Sequence, residues 1–306
     1  MKKAVLFFVC VGLVFSLAAC SAGGETGDWD WKSEPKAADT GITLNVFNWG
    51  EYIDDSVVRV NDAFTHLTGI KINYKTYADN ETMYTLIKSG TDYDVVFPSD
   101  YMVGKMISEG MLAKLNFDNI PNFQYIDSSF KKLEYDPQNL YSVPYTWGTV
   151  GIFYNSKYVA EEDLKDGWDL LWNEKYKNKI FMFDNPRDAF GIALKKLGYS
   201  MNSTEPAEWQ AAYEELLRQK PLVQQYVMDQ VYEKMINEEG WIAPYYSGDG
   251  IIMMDEEEGN TDIKYFVPEE GTNRFVDAVC ITANSEFKEE AEKYIDFLCR
   301  TEVALA

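Results

Sequence analysis

Residues 48–52 read Asn48-Trp49-Gly50-Glu51-Tyr52 and directly follow an apolar run with strand character, residues 42–47. Two aromatic rings around one carboxylate suit a cation. A ring face attracts positive charge, and a carboxylate pairs with it through charge-assisted hydrogen bonds. A Trp at a strand tip also covers the edge of a core, so this stretch alone leaves a packing role open. Pro98-Ser99-Asp100-Tyr101 follows a second apolar run, residues 93–97. Asp277 lies inside an apolar strand, residues 275–282, where an acid needs a partner. Asp188 precedes a helical run over residues 189–197, which it can cap, or it can face a ligand.

Other chemistries lack their parts. The single histidine, His66, sits in a helix predicted over residues 55–67 and reads as a surface side chain. A His-based triad or a His-built metal site is therefore not available, and no metal or cofactor is expected. No GxSxG, P-loop or GxGxxG stretch is present. A carboxylate-only hydrolase is the enzymatic rival, and it has no recognisable nucleophile–base set. The formal net charge of −22 argues against nucleic acid as a partner. It is compatible with a cationic ligand, although an acidic surface also serves solubility. Cys280 and Cys299 fall in an apolar strand and at the end of an apolar helix, and read as buried thiols rather than a disulfide.

The elements that must position these residues alternate. Strands are predicted at 42–47, 70–77 and 93–97, with helices at 55–67 and 80–88 between them, Asn80 capping the second. This is the pattern of a parallel sheet with right-handed crossovers. Its ligands sit outside the carboxyl ends of the strands, so the loops after residues 47 and 97 face one crevice. A second α/β segment starts near residue 143. It has a strand at 180–183, helices at 189–197, 205–220 and 224–237, and strands at 242–246 and 263–267. The last strand precedes a helix over residues 288–300.

The chain opens with Met1-Lys2-Lys3 and an apolar run over residues 4–15, too short to span a bilayer comfortably. It ends in Leu17-Ala18-Ala19-Cys20, which resembles the lipobox of bacterial lipoproteins. That resemblance implies a signal peptide over residues 1–20, removed to leave Cys20 as a lipid-modified first residue. Residues 21–40 read as a polar, flexible tether apart from a Trp-Asp-Trp patch. The mature chain is thus expected on the extracytoplasmic (periplasmic) face of a membrane.

Beyond residue 41, "FNWGEYI", "YADNETMYTLI", "YDVVFPSDYMV", "YSVPYTWGTVGIFYN", "DLLWNEKYKNKI", "YSGD" and "VPEEGTNRFVDAVCI" occur in that order. The chain resembles the spermidine/putrescine-binding proteins of bacterial polyamine ABC importers. The resemblance implies an α/β, two-lobed, periplasmic-binding-protein-like fold of type II. Each lobe would be a mixed, mainly parallel sheet flanked by helices, with the ligand cleft between them. Lobe one would hold residues 41–148 and 272–306, and lobe two residues 149–271. It implies a non-enzymatic, monomeric carrier whose partners are a polyamine and a membrane permease driven by a cytoplasmic ATPase. The alternative is the same fold binding another small cationic solute.

Carried over position by position, the resemblance makes Trp49 and Tyr52 ligand-contacting aromatics with Glu51 between them. Ser99 and Tyr101 belong to the next loop. Asn185 and Asp188 occupy the two acidic positions of a later loop, and Asn185 accepts a hydrogen bond but brings no charge. Tyr246 and Phe275 stand where many members have Trp, and Asp277 matches the amine-binding carboxylate. Family members continue beyond Ala306, so a C-terminal segment is expected to be missing from this sequence.

Overall fold

The computed structural model describes residues 29–50, 52–53, 59–255, 257 and 259–304. Among these, nine strands form one continuous sheet: β1 (Thr43–Trp49), β2 (Lys71–Tyr77), β3 (Val95–Val96), β4 (Ser142–Asn155), β5 (Ile180–Phe183), β6 (Val223–Val227), β7 (Ile242–Tyr246), β8 (Ile263–Phe266) and β9 (Arg274–Ile281). Their spatial order is β2-β1-β3-β9-β4-β7-β5-β6, with β8 also paired to β4. β1 runs parallel to β2 and β3, and β5 runs parallel to β6 and β7. β9 is antiparallel to both β3 and β4.

β4 joins the two halves of this sheet. Residues up to Thr149 pair with β9, and residues from Val150 pair with β7 and β8. Each half has its own apolar interior. In the first, successive side chains of one strand go to opposite faces, the period-two rule of a sheet covered on both sides. Leu44 and Val46 enter one core with Phe64, Phe97, Val279 and Tyr294, while Phe47 enters another with Met83, Met102, Ala278 and Cys280. In the second half, Phe153, Trp168, Phe181 and Ile242 share a core. Each such side chain contributes roughly 1.5–3 kcal/mol by leaving water.

Helices α1 (Val60–Thr68), α2 (Asn80–Lys88) and α3 (Asp100–Ser108) cover the first half. α4 (Pro186–Lys196), α5 (Pro206–Gln219), α6 (Val231–Ile236) and α7 (Gly250–Met253) belong to the second, and α8 (Lys288–Leu298) returns to the first. The cap of α2 is Asp79, whose Oδ1 accepts from the Thr82 backbone N–H at 2.7 Å, one residue ahead of the expected Asn80. Residues 224–237 are not one helix. Val223–Val227 pairs with β5, because Val and Tyr at its ends favour the pleated strand, and only α6 follows. Cys280 and Cys299 are free thiols.

Of the expected tether, residues 29–40 lie against the first half. Trp29 packs on Phe297, under the Arg300 guanidinium. Trp31 meets the His66 ring edge-on at 5.4 Å, and His66 Nε2 is 2.8 Å from the Glu34 carbonyl. His66 is therefore partly buried rather than a free surface side chain. Gly69 ends α1 with φ of 73°, and a Cβ there would sit 1.8 Å from the Ala38 carbonyl oxygen. Gly69→Ala is expected to cost about 2 kcal/mol or more, from left-handed strain plus loss of this contact. Urea unfolding measures it, and an unchanged midpoint would rule out the packing of residues 29–40 on α1. The signal, Cys20, residues 21–28, Glu51 and the expected helix start at 54–58 lie outside the described residues.

Candidate ligand-binding cleft

A cavity of about 1080 Å³ opens between the two halves, where β1, β3 and β9 meet β4 and β7. The two loops singled out by their residue types do face it together. Trp49 ends β1 opposite Tyr77 of β2, and its indole N–H donates to the Phe97 carbonyl at 2.8 Å. Tyr77 donates to the same oxygen at 2.7 Å, and the two rings lie 4.8 Å apart. This fixes the indole as a wall. Tyr52 follows, its ring 5.9 Å from Trp49, and its hydroxyl donates to Asp277 Oδ2. Burial first, and then the Asp277 charge, hold the Tyr52 hydroxyl well above the usual phenol range, so it stays a donor.

Asp277 sits on β9, opposite Thr146 on one side and bridged to Ser99 on the other. It is 2% exposed. Among the described residues its Oδ1 has no hydrogen-bond partner, although the side chain lines the cavity. Burial pushes its carboxyl up to about 6, the Ser99 and Tyr52 hydroxyls pull it back, and Asp100 and Asp188 add to the rise. An unpaired buried acceptor of this kind is costly unless something binds it. Ser99 is itself held by Asn80, which donates to its hydroxyl at 2.9 Å.

The facing wall comes from the second half. Asn185 caps α4: its Oδ1 accepts from the backbone N–H groups of Arg187 and Asp188. Asp188 is thereby relieved of the capping role open to it in the sequence. Its Oδ2 instead accepts from the Tyr246 hydroxyl at 2.7 Å, inside the cavity. Burial raises its carboxyl to about 6, against the Tyr246 hydrogen bond and the Arg187 charge. The Asn185 oxygen is engaged by the helix, and the remaining amide nitrogen is a donor, which offers nothing to an ammonium group. Tyr246 stands edge-on to Phe275 at 5.4 Å. Phe275 lies close over Gly148, where a Cβ would be 2.6 Å from its ring.

Two cleft acids, Asp277 buried and Asp188 half-buried, thus each face a tyrosine hydroxyl, one from each half of the molecule. Tyr101 lines it as well, but its hydroxyl donates to Glu81 at 2.9 Å and its ring carries the Arg187 guanidinium. Four further acids, none of them predicted as a ligand contact, line the cavity: Asp100, Glu134, Asp229 and Asp249. Asp249 accepts from Tyr232 at 2.7 Å and Asp229 from Tyr245 at 3.1 Å, and both line the cavity. Asp249 belongs to the "YSGD" stretch that drew attention only for its tyrosine. Asp229 carried no signal, because it falls in a stretch expected to be helical. Among the described residues, no group of three or more His, Cys, Asp or Glu side chains is placed to hold a metal.

Such a site can bind a small organic cation between aromatic walls.

Comparison with known proteins agrees with this geometry. The family model for bacterial extracellular solute-binding proteins matches residues 60–306. The spermidine/putrescine-binding periplasmic protein of Salmonella typhimurium is 38% identical over 264 residues, 86% of this chain and 74% of that protein. The crystal structure of the spermidine/putrescine ABC transporter substrate-binding protein PotD of Streptococcus pneumoniae is similar, with TM-score 0.71 and 36% identity over 86% of this chain and 79% of that one. The TpPotD lipoprotein of Treponema pallidum gives TM-score 0.76 and 27% identity, over 84% and 80%. The two-lobed, type II periplasmic-binding-protein fold expected from the sequence is the fold found. Acid-and-aromatic cleft, sheet order and matched family converge: the chain belongs to the bacterial extracellular solute-binding proteins.

Proposed function

We propose that this protein captures a linear polyamine of the spermidine/putrescine class and delivers it to the membrane permease of an ABC importer. The observation that carries the reading is the unpaired, buried Oδ1 of Asp277 in a cleft walled by Trp49, Tyr52, Tyr246 and Phe275. An ammonium group placed there satisfies the oxygen, and the methylene stem lies on the rings. Asp188 takes the ammonium at the other end. A charge-assisted hydrogen bond contributes roughly 1.5–3 kcal/mol, and a desolvated cation–π contact about 2 kcal/mol. The names of the relatives support the ligand class. Asp249 and Asp229 add negative charge to the same wall, while Glu51 keeps the role the resemblance gives it.

In this reading residues 41–148 with 272–306 form one lobe and residues 149–271 the other. The separate interiors of the two sheet halves support that division. Ligand bound to acids of both lobes favours the closed state, because only closure pairs both at once. The site binds and does not transform its ligand. A thermal-shift panel of putrescine, spermidine, cadaverine, amino acids and sugars tests the class, since a ligand of the native state raises the melting temperature by mass action. A response to sugars or anions and to no polyamine would overturn it.

The protein is held to the extracytoplasmic membrane face through a lipid on Cys20. The lipobox-like Leu17-Ala18-Ala19-Cys20 supports this, and the relation to a treponemal lipoprotein is in keeping with it. Cys20→Ala is expected to move the protein from the membrane fraction to the soluble one, and retention in the membrane would exclude the anchor.

A further inference from the structure

The ladder between β4 and β9 is irregular at one place. Pro144 lies opposite Ala278 and Thr146 lies opposite Asp277, so Tyr145 is an extra residue with no partner on β9. A bulge of this kind disrupts the ladder locally and re-aims a side chain, and bulges gather beside functional sites. This one stands next to the buried acid of the cleft. The Tyr145 ring meets the fully buried Phe97 ring edge-on, with centres 4.9 Å apart. The Phe97 carbonyl is the same one that holds the Trp49 indole. Tyr145 also lines the cavity, and its hydroxyl donates to the backbone carbonyl of Tyr52 at 3.0 Å. Burial first, and then Tyr74, hold that hydroxyl above the usual phenol range, so it stays a donor.

Tyr52 needs such a support. The pairing of β1 with β2 ends at Trp49, and Tyr52 lies beyond it in the loop. Its ring leans on Trp49 at 5.9 Å and on Tyr145 at 6.0 Å. Its carbonyl is held by Tyr145, and its own hydroxyl is held on Asp277 Oδ2. The contacts close a circuit. Tyr145 holds Tyr52, Tyr52 holds Asp277, and Asp277 lies across the ladder from Thr146, the neighbour of Tyr145. All of these residues belong to the first half of the sheet, so the circuit stands before the two halves close on a ligand. Arranging a site in advance lowers the cost of ordering it on binding.

We propose that Tyr145 is a positioning residue for the ligand. From its bulge it fixes the Tyr52 backbone, which keeps the Tyr52 hydroxyl on Asp277 Oδ2 and leaves Oδ1 facing the ammonium group. The inference rests on the polyamine reading above.

Calorimetric titration of wild type, Tyr145→Phe, Tyr52→Phe and the double variant with putrescine and spermidine tests it. Tyr145→Phe keeps the ring against Phe97 and removes only the hydroxyl. It is expected to weaken both ligands about 10-fold, the size of one hydrogen bond. Tyr52→Phe should weaken them at least as much. The double variant should bind within about 2-fold of Tyr52→Phe alone, because residues that act through one another are not additive. The pH below which affinity falls should rise in both single variants, since the Tyr52 hydroxyl helps keep Asp277 ionised. Ser99, Asp100 and Asp188 also act on Asp277 and are untouched by these changes. Unchanged affinity in Tyr145→Phe would overturn the assignment. So would losses that multiply in the double variant, or a weakened Tyr145→Phe whose pH profile stays that of wild type. Wild type that binds neither amine overturns the polyamine reading itself, a result distinct from any pattern among the variants.

Discussion

Asp277→Asn is expected to lower affinity for putrescine and spermidine about 100-fold or more, while the ligand-free protein becomes more stable at neutral pH. Both effects have one cause. The Asp277 carboxylate is buried with one oxygen unpaired, and burial lifts its pKa from 3.8 to about 6. The native state therefore holds this proton more tightly than the unfolded chain. Stability from this group is full below about pH 4 and is lost as pH rises through about 6. At pH 7 the ionised acid costs on the order of 3 kcal/mol, from about 1.4 kcal/mol per unit of pKa. Asn is nearly isosteric and uncharged, so it removes that cost. It also removes the charge that an ammonium ligand pairs with, and truncating a buried charge pair costs about 2–5 kcal/mol. Calorimetry with the ligands, and thermal melting without them, measure the two halves of the expectation. Unchanged affinity removes Asp277 from the site. Lost affinity together with a lowered melting temperature would instead mean that the acid is structural.

Binding is expected to release protons. In the free cleft Asp188 and Asp277 both titrate near 6. An adjacent ammonium group favours the ionised form of each, so the complex holds them deprotonated at lower pH. Affinity should be level above about pH 7 and fall on acidification. It should approach a loss of about 100-fold per pH unit where both acids are protonated in the free protein and neither is in the complex, two protons exchanging for one ligand. Titrations near pH 6 in buffers of different ionisation heat should return up to two protons released. Affinity constant from about pH 7.5 to 5 would exclude these carboxylates as the charged contacts. The two acids also act on each other, so the measured values belong to the pair.

What could be read beforehand followed from periodicity and from residues out of place. β1, β3 and β9 are legible because short, mainly apolar runs of that length suit strands with buried faces, and an acid inside the last of them stands out. The loops after β1 and β3 follow from the parallel alternation, which aims strand ends of one sense at one crevice. What escaped was local competition for hydrogen bonds. Asn185 and Asp188 are both able to cap α4, and nothing in their order says which one does. Only the geometry gives the cap to Asn185 and frees Asp188 for the cleft. Val223–Val227 has Gln at two of its five positions, which suits an exposed helix as well as an edge strand, and its pairing with β5 decides the matter. Arg187 over Tyr101 had no signal either, because the residues are far apart in sequence and meet across the cleft. Trp29 and Trp31 were noticed as an exception to a polar tether. Both pack on the folded body, Trp29 on Phe297 and Trp31 on His66.

The last of the nine strands among the described residues lies in the interior of the sheet. β9 separates β3 from β4. A chain emerging from its N-terminus can pair β1, β2 and β3, and can assemble the second half from residues 150–266. It cannot join the two halves of the sheet until residue 281 is available. The strand that completes that joint carries Asp277, so the cleft acquires its floor acid in the same event. Pairings over such separations form slowly. The joint between the two halves, and with it the cleft, therefore forms only late in synthesis.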